Sequence, residues 1–570
     1  MSYLNFKSRY NKFPVINVSS NSTDIFKGTK SITKELSKLR KGVIAFETYP
    51  GINLDILKKE IIEKLNPDRI IFIEDYSYPE VKYDEIIKPN LYDDRVFGLY
   101  SHHHIEDFYQ MDKVTELNNS LNKEELTIVF GFGATLISCD QLIMVSLTRW
   151  EIQLRYRKGL SNFKKNNPKE DKLRKYKRGY FVEWRVADRI KEKQLQNCSY
   201  IIDYNLDSAP KMLTEKLYQE CLNKAVSRPI RLVPYFDPGV WGGQWMKEVC
   251  NLDKTKKNFA WSFDGVPEEN SIRFSFGEDY IEMPAQDIVQ FRPREFMGQK
   301  VFSTFGKKFP IRFDFLDTMK GQNLSLQVHP LTEYIQENFG MTYTQDESYY
   351  ILDAGSNAVC YLGVKEGINQ EEFKQDLIDS NKGLKVFDDS RYINKIPVKK
   401  HDHLLIPGGT IHCSGSNTMV LEISSCVYIF TFKLWDWARL GLDGLPRPVS
   451  LEHGFKNIQY NRDTKFVYNE LVNQFVQLDE VEEKTGLHEL EFIESRRYTF
   501  KEPYIMETKN TVNVCNLVDG ESMIIESVNG EFEPYEIHYA ETFYIPATLD
   551  KVRFIPNDPN GCKVIKAMVR

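Results

Sequence analysis

The chain has 570 residues, 41% of them hydrophobic and 13% aromatic, more than one hydrophobic core usually serves, so two or three domains are expected. Its 75 basic and 81 acidic residues leave a net charge of -6, no electrostatic footprint for nucleic acid, and no apolar run reaches the roughly 20 residues that span a bilayer. The start, Met1-Ser-Tyr-Leu-Asn-Phe, lacks the basic-then-apolar pattern of a signal peptide, so a cytoplasmic protein with no membrane or nucleic-acid partner is expected. Nine cysteines, at positions 139, 198, 221, 250, 360, 413, 426, 515 and 562, form no Cys-x-x-Cys pair and read as reduced thiols.

Residues 1–225 alternate strand-like and helix-like runs. Gly42-Val-Ile-Ala-Phe46, Arg69-Ile-Ile-Phe-Ile-Glu74, Leu126-Thr-Ile-Val-Phe130 and Gln141-Leu-Ile-Met-Val-Ser146 suit buried parallel strands, and Leu54 to Leu65 has helical spacing. That predicts a doubly wound α/β domain. The first strand leads through Glu47-Thr-Tyr-Pro-Gly-Ile-Asn-Leu-Asp55 into the helix, where a phosphate-binding loop would lie. This layout, with Leu147-Thr-Arg-Trp-Glu-Ile-Gln-Leu-Arg-Tyr-Arg157, resembles the P-loop nucleoside and nucleotide kinases. Their motif needs a second Gly followed by Lys and Ser/Thr, because the lysine reaches the phosphates and the hydroxyl reaches Mg²⁺; here Gly51 is followed by Ile52, Asn53 and Leu54. The expectation is a degenerate kinase-like domain without phosphoryl transfer. His102-His-His104 cannot place three side chains on one strand face and reads as a polar loop, and the basic run from Arg155 to Arg178 reads as solvated lid or loop surface.

From about residue 230 the pattern changes to short strands between Gly, Pro and Asn turns, as in all-β jelly rolls. One helical insertion is expected from Asn369 to Asp379, capped by Asn369 and with Phe373, Leu377 and Ile378 on its apolar face. His403-Leu-Leu-Ile-Pro-Gly-Gly-Thr-Ile-His412 is echoed by Glu541-Thr-Phe-Tyr-Ile-Pro-Ala-Thr-Leu-Asp550, which points to a double jelly roll spanning 226–460 and 461–570. The residue five beyond the proline is His412 in the first copy and Lys551 in the second, so only the first barrel is expected to hold metal.

Gln327 and His329 are two apart in Leu324-Ser-Leu-Gln-Val-His329, so on a strand both leave one face. Glu347 opens another strand-like run, and His412 follows a Gly-Gly turn. Two imidazoles, a carboxylate and an amide oxygen with no thiolate suit catalytic zinc or a similar divalent ion, with a position left for water or substrate. Cys413, beside His412, would point to the opposite face. His401 and His403 read as strand residues rather than further ligands.

Gln327-Val-His-Pro330, Asp346-Glu-Ser-Tyr-Tyr-Ile-Leu-Asp-Ala354, Tyr361-Leu-Gly-Val364 and Ile406-Pro-Gly-Gly-Thr-Ile-His412 occur in that order. Together they resemble the class I mannose-6-phosphate isomerases, zinc enzymes of the cupin superfamily. Pro234-Tyr-Phe-Asp-Pro-Gly-Val-Trp-Gly-Gly243 and Phe432-Lys-Leu-Trp-Asp-Trp-Ala-Arg439 are similar to two further stretches of that family. The resemblance implies one Zn²⁺ per chain, other divalent ions being compatible, held by Gln327, His329, Glu347 and His412. It also implies a hexose 6-phosphate substrate and interconversion of mannose 6-phosphate and fructose 6-phosphate. That reaction needs a proton shuttle and a cation for the phosphate. Lys433 is the expected catalytic and substrate-binding cation, and Arg439 and Arg447 are further substrate-binding candidates. Glu422, flanked by Leu421 and Ile423, is the expected catalytic carboxyl, since such surroundings near a metal can raise its pKa; a buried structural salt bridge is the alternative. The chain departs from the family in three places: Gln345 where many members have Lys, Lys433 in place of Arg, and no Asp in Cys426-Val-Tyr-Ile-Phe-Thr-Phe432. A non-catalytic sugar-phosphate-binding protein is the alternative these departures leave open.

Overall fold

The computed structural model describes residues 2–18, 24–425, 428–442, 444, 447–486 and 488–570; Cys426, expected among the reduced thiols, lies outside them. The chain forms two compact units, Val15–Lys224 with Ser271–Phe291, and Met1–Pro14 with Ala225–Asn270 and Arg292–Arg570. Residues 271–291, expected in the barrel region, fold with the N-terminal part. Their hairpin, Ser271–Phe276 with Asp279–Pro284, adds Ile16–Asn17 as a third strand.

The first unit is built on strands β1 (Ile25–Lys27), β2 (Gly42–Thr48), β3 (Arg69–Phe72), β4 (Leu126–Gly131), β5 (Gln141–Ser146), β6 (Tyr200–Asp203) and β7 (Lys211–Thr214). They form one sheet in the order β1-β7-β6-β5-β2-β4-β3. The five strands from β6 to β3 are parallel, and β7 and β1 close one edge antiparallel. Every residue of β2 and β4 is buried, which is why their sequences read as unbroken apolar runs rather than alternations. The helical stretch expected from Leu54 begins there, with Asn53 accepting the Ile56 N–H as its cap. It widens to a π-turn at Lys58–Ile62 and ends before Asn66, whose φ is 49°.

The basic run is the main departure from expectation in this unit. Lys175, Lys177 and Arg178 are buried, not solvated. Lys175 Nζ donates to the Tyr156 carbonyl at 3.0 Å, at the end of helix Arg149–Arg157, and Lys177 Nζ donates to the Tyr92 carbonyl at 2.6 Å. Arg178 pairs with Asp84 at 2.8 Å and Glu183 at 3.2 Å. Carbonyls left over at helix ends and turns accept cations, and a charge run does not show which of its members such acceptors will draw inward. Burial pushes both lysine ammoniums down. His102–His104 lie in a loop between elements, with His103 against Asp107 at 3.3 Å.

Asp287, on the segment that joins this unit from later in the chain, receives Lys191 Nζ at 2.6 and 2.7 Å and the Tyr218 hydroxyl. Both members of the ion pair are at most 4% exposed. Removing one partner from a buried pair strands the other charge in a dry site. Asp287→Ala is therefore expected to destabilise this unit by about 3–5 kcal/mol, read as a shifted urea midpoint of the whole chain; a change below about 1 kcal/mol, the size of an exposed pair, would contradict the burial described.

In the second unit, β8 (Tyr235–Asp237), β9 (Trp261–Gly265), β10 (Arg312–Asp317), β11 (Leu326–Val328), β12 (Asp346–Ala354) and β13 (Val359–Val364) are followed by β14 (Ile393–Pro397), β15 (His403–Ile406), β16 (His412–Ser414), β17 (Thr418–Ser425) and β18 (Phe432–Trp435). They form a six-stranded sheet, β15-β12-β17-β10-β9-β8, and a five-stranded sheet, β14-β13-β16-β11-β18. Helix Gln370–Asn381 interrupts them, capped by the Asn369 side chain and burying Phe373 and Leu377. Residues 476–569 form another six-stranded and a four-stranded sheet, whose inward side chains, among them Phe500, Leu517, Met523, Phe543 and Phe554, make one apolar core. The two echoing runs have the same shape. Strands His403–Ile406 and Thr542–Ile545 each meet a proline turn, and the next strands begin at His412 and Lys551. Among the described residues no helix is long and apolar enough to cross a membrane.

Candidate metal centre

Strand pairing gathers the candidate ligands. Gln327 on β11 lies directly opposite His412 on β16 and Lys433 on β18, so the three side chains leave the same face of the five-stranded sheet. His329 follows two residues on, and Glu347 comes from β12 of the other sheet. His329, Glu347 and His412 are the cluster of His, Cys, Asp and Glu that could hold an ion among the described residues, with one ligand atom from each within 4.8 Å of the others. All three are at most 1% exposed.

The orientation of the two imidazoles is set from behind. His412 Nδ1 lies 2.9 Å from the Thr410 carbonyl, and His329 Nδ1 lies 2.9 Å from the Phe430 carbonyl. A carbonyl only accepts, so each Nδ1 carries a proton and each ring turns its Nε2 inward. Both Nε2 atoms meet Glu347, whose Oε1 is 2.8 Å from His412 Nε2 and whose Oε2 is 2.9 Å from His329 Nε2. Neither His329 Nε2 nor Glu347 Oε1 finds a well-aligned hydrogen bond. Burial alone would push the Glu347 carboxyl up, but the two neighbouring imidazoles outweigh it and hold it well below the usual carboxylate range. Burial likewise opposes charge on His329, and Glu347 outweighs it and raises its pKa. A divalent cation at the point where these atoms converge could take the place of protons on the two Nε2 atoms, and carbonyl-backed imidazoles are the usual surroundings of such a site. Gln327 Nε2 is drawn 3.2 Å from His412 Nε2; the amide turned over would aim its oxygen there instead.

Cys413 pairs with Tyr361 on the outward face of β16, and burial pushes its thiol well up, so it stays protonated and apart from the cluster. His403 pairs with Tyr350, the neighbour of inward-facing Tyr349, and so leaves the opposite face from Glu347. His401 meets the Tyr350 hydroxyl at 2.9 Å.

Glu422 on β17 lies between Tyr349 and Asp314 in register, on the same face as Glu347. Burial first, then Glu347 and Asp314, push its carboxyl well above the usual range. Asp314, which sequence reasoning missed, is pushed up to about 7 by burial despite Arg312 beside it. Its only signal is its place in the alternating run Arg312-Phe-Asp-Phe315. Arg439 and Arg447 are both engaged by the Asp436 carboxylate. Arg439 donates to Asp436 at 2.7 Å and to the Asn323 carbonyl at 2.6 Å, and Arg447 donates to the same Asp436 carboxylate at 3.0 Å and to Ser325 at 3.1 Å. Lys433 is half-buried and directly across from Gln327.

A family described as a domain of unknown function (DUF8485) matches residues 28–227. A probable mannose-6-phosphate isomerase of Bacillus subtilis is 26% identical over 236 residues, 41% of this chain and 69% of that protein. A mannose-6-phosphate isomerase of Streptococcus mutans is 25% identical over 229 residues, 40% of this chain and 66% of that one. Among solved structures, the mannose 6-phosphate isomerase of Bacillus subtilis aligns over 60% of this chain and 99% of its own at 19% identity, with a TM-score of 0.49.

With His329, Glu347 and His412 as the ligands of an ion, His412→Ala is expected to lower affinity for zinc by more than the 10–100-fold typical of a change to a residue behind a ligand. Chelator competition would measure this, and unchanged zinc affinity would remove His412 from the ligand set.

Proposed function

We propose that the unit containing Ala225–Asn270 and Arg292–Arg570 forms a divalent-metal-dependent isomerase that interconverts mannose 6-phosphate and fructose 6-phosphate, with zinc as the ion. One observation carries the reading: the Nε2 atoms of His329 and His412, backed by carbonyls at Nδ1, converge on the buried Glu347 carboxylate. The sequence similarity to mannose-6-phosphate isomerases supports it. An ion bound by Gln327, His329, Glu347 and His412 would supply Lewis-acid stabilisation of negative charge on a sugar oxygen.

The remaining work falls to side chains. Aldose–ketose interconversion takes a proton from one carbon and returns it to its neighbour, with no net gain or loss. Glu422 is the group assigned to this transfer. Its raised carboxyl is a stronger base once ionised than an exposed one, and as the acid it can return the proton. Lys433, in the row with Gln327 and His412, is the cation assigned to the substrate phosphate. As an ammonium it attracts the phosphate as a point charge without the bidentate fork of an arginine. Arg439 and Arg447 are weaker candidates for that role, because donors of both are already committed to Asp436.

The metal-loaded chain is expected to convert mannose 6-phosphate in an assay coupled to fructose 6-phosphate, and EDTA treatment to abolish the signal. Saturable hexose-6-phosphate binding without turnover would leave the second reading, a non-catalytic binding protein; the neutral Gln345 beside Glu347 is the observation that favours it. Glu422→Gln is expected to lower kcat about 10²–10⁴-fold with zinc content unchanged. An unaltered kcat would take Glu422 out of the mechanism.

For residues 1–225 we infer a degenerate kinase-like domain without phosphoryl transfer. The parallel strand order supports the likeness, and the loop after β2 supports the degeneracy. Gly51 gives its carbonyl to Arg155 Nη1 at 3.3 Å, and Ile152 and Leu147 pack so closely that a Cβ there would meet them at 3.1–3.2 Å. At Gly51 the loop is thus packed against the chain's own side chains. Magnesium-ATP at millimolar concentration is expected to leave the thermal midpoint unmoved; a dose-dependent rise would overturn this assignment.

A further inference from the structure

Gln345 is anchored at both ends of its amide. Its Nε2 donates to Glu347 Oε2 at 3.0 Å, and its Oε1 accepts the Phe430 backbone N–H at 3.2 Å. A carboxylate only accepts and a peptide N–H only donates, so the two partners together fix which way the amide faces. The carbonyl of the same Phe430 takes the proton of His329 Nδ1 at 2.9 Å, and His329 Nε2 returns to within 2.9 Å of Glu347 Oε2. Gln345, Phe430, His329 and Glu347 therefore close a ring, and every member is at most 3% exposed. Two of its members are candidate ligands, and Phe430 lies three residues before Lys433.

We propose that Gln345 is a positioning residue that couples ion binding at His329, Glu347 and His412 to the seating of residues 428–433, so that Lys433 is held toward the substrate when the ion is in place. The inference rests on reading those three residues as a metal centre. An ion drawing His329 Nε2 and Glu347 together fixes two members of the ring, and Gln345 passes that constraint to the Phe430 peptide. Coupling of this kind is reciprocal: whatever factor the ion adds to the order of the segment, the ordered segment adds to affinity for the ion. A lysine at 345 would separate the two bonds, since its ammonium still donates to Glu347 but has nothing to accept the Phe430 N–H.

The test uses the full chain and zinc, with affinity read by chelator competition and order read by hydrogen exchange of the peptide covering 428–433. In the wild type, zinc is expected to slow exchange of that peptide. Gln345→Ala is expected to lose about 10–100-fold in zinc affinity together with the zinc-dependent protection. Gln345→Lys, which covers the case in which the alanine variant fails to fold, is expected to keep zinc affinity within about 10-fold while losing the protection. Wild-type zinc affinity in Gln345→Ala, or zinc-dependent protection surviving in Gln345→Lys, would overturn the coupling and leave the metal centre standing. A wild-type chain that binds no zinc would bring down the metal centre and the coupling together. Neither readout involves turnover, so the outcome does not depend on whether the chain isomerises sugar phosphates.

Discussion

The buried carboxylate of Glu347 is the group around which the first barrel is arranged. An ionised carboxyl with no exposure to water costs several kcal/mol unless opposite charge and hydrogen bonds offset the loss of solvent. Its neighbours do so only in part: Gln345 supplies one amide donor, while the nearest ring nitrogens of His329 and His412 present lone pairs unless protonated. The backbone carbonyls of Phe430 and Thr410 fix which ring nitrogen faces Glu347, so the convergence is built into the chain trace rather than left to side-chain rotamers.

Register makes the arrangement possible. Gln327 faces His412 on one side and Lys433 on the other, and Glu422 sits between Tyr349 and Asp314. Because side chains alternate along a strand, a slip of one residue in any of these pairings would turn a ligand outward and an aliphatic neighbour in. The aliphatic neighbours oppose such a slip. Leu326 and Val328 flank Gln327 and are fully buried on the other face, so their burial holds the register that the polar row needs.

How much of this was legible in the sequence depends on the range of the interaction. The spacing of Gln327 and His329, the helix capped by Asn369 and the apolar runs of β2, β4 and β5 are local patterns, and each appears where its period places it. The convergence of Glu347 and His412 on that strand was accessible through the ordered motifs, not through periodicity. What escaped notice is set by tertiary pairing. Nothing local marks residues 271–291 as belonging with a sheet completed about sixty positions earlier, because Asp287 and Lys191 identify each other only across the fold. The run from Arg155 to Arg178 carries charge in its letters, whereas the carbonyls that bury Lys175 and Lys177 have no letter at all. The same holds for Phe430, whose contribution to the centre comes through its peptide group.

The two pairs of sheets repeat one strand–turn–strand unit but use their interiors differently. In the first, Gln327 and His412 of one sheet and Glu347, Glu422 and Asp314 of the other are buried polar side chains where apolar ones would otherwise pack. In the second, Phe500, Leu517, Phe543 and Phe554 fill the corresponding space with aromatic and aliphatic surface, each fully buried side chain contributing about 1.5–3 kcal/mol. Lys566, buried among them, has Met506 Sδ at 3.6 Å as its hydrogen-bond partner, and burial pushes it down to about 8. Both barrels belong to one compact unit, and Ile230 bridges to Tyr544 while Arg497 donates to the His401 carbonyl at 2.9 Å. The apolar core of residues 476–569 therefore stabilises the same compact unit that carries the polar centre.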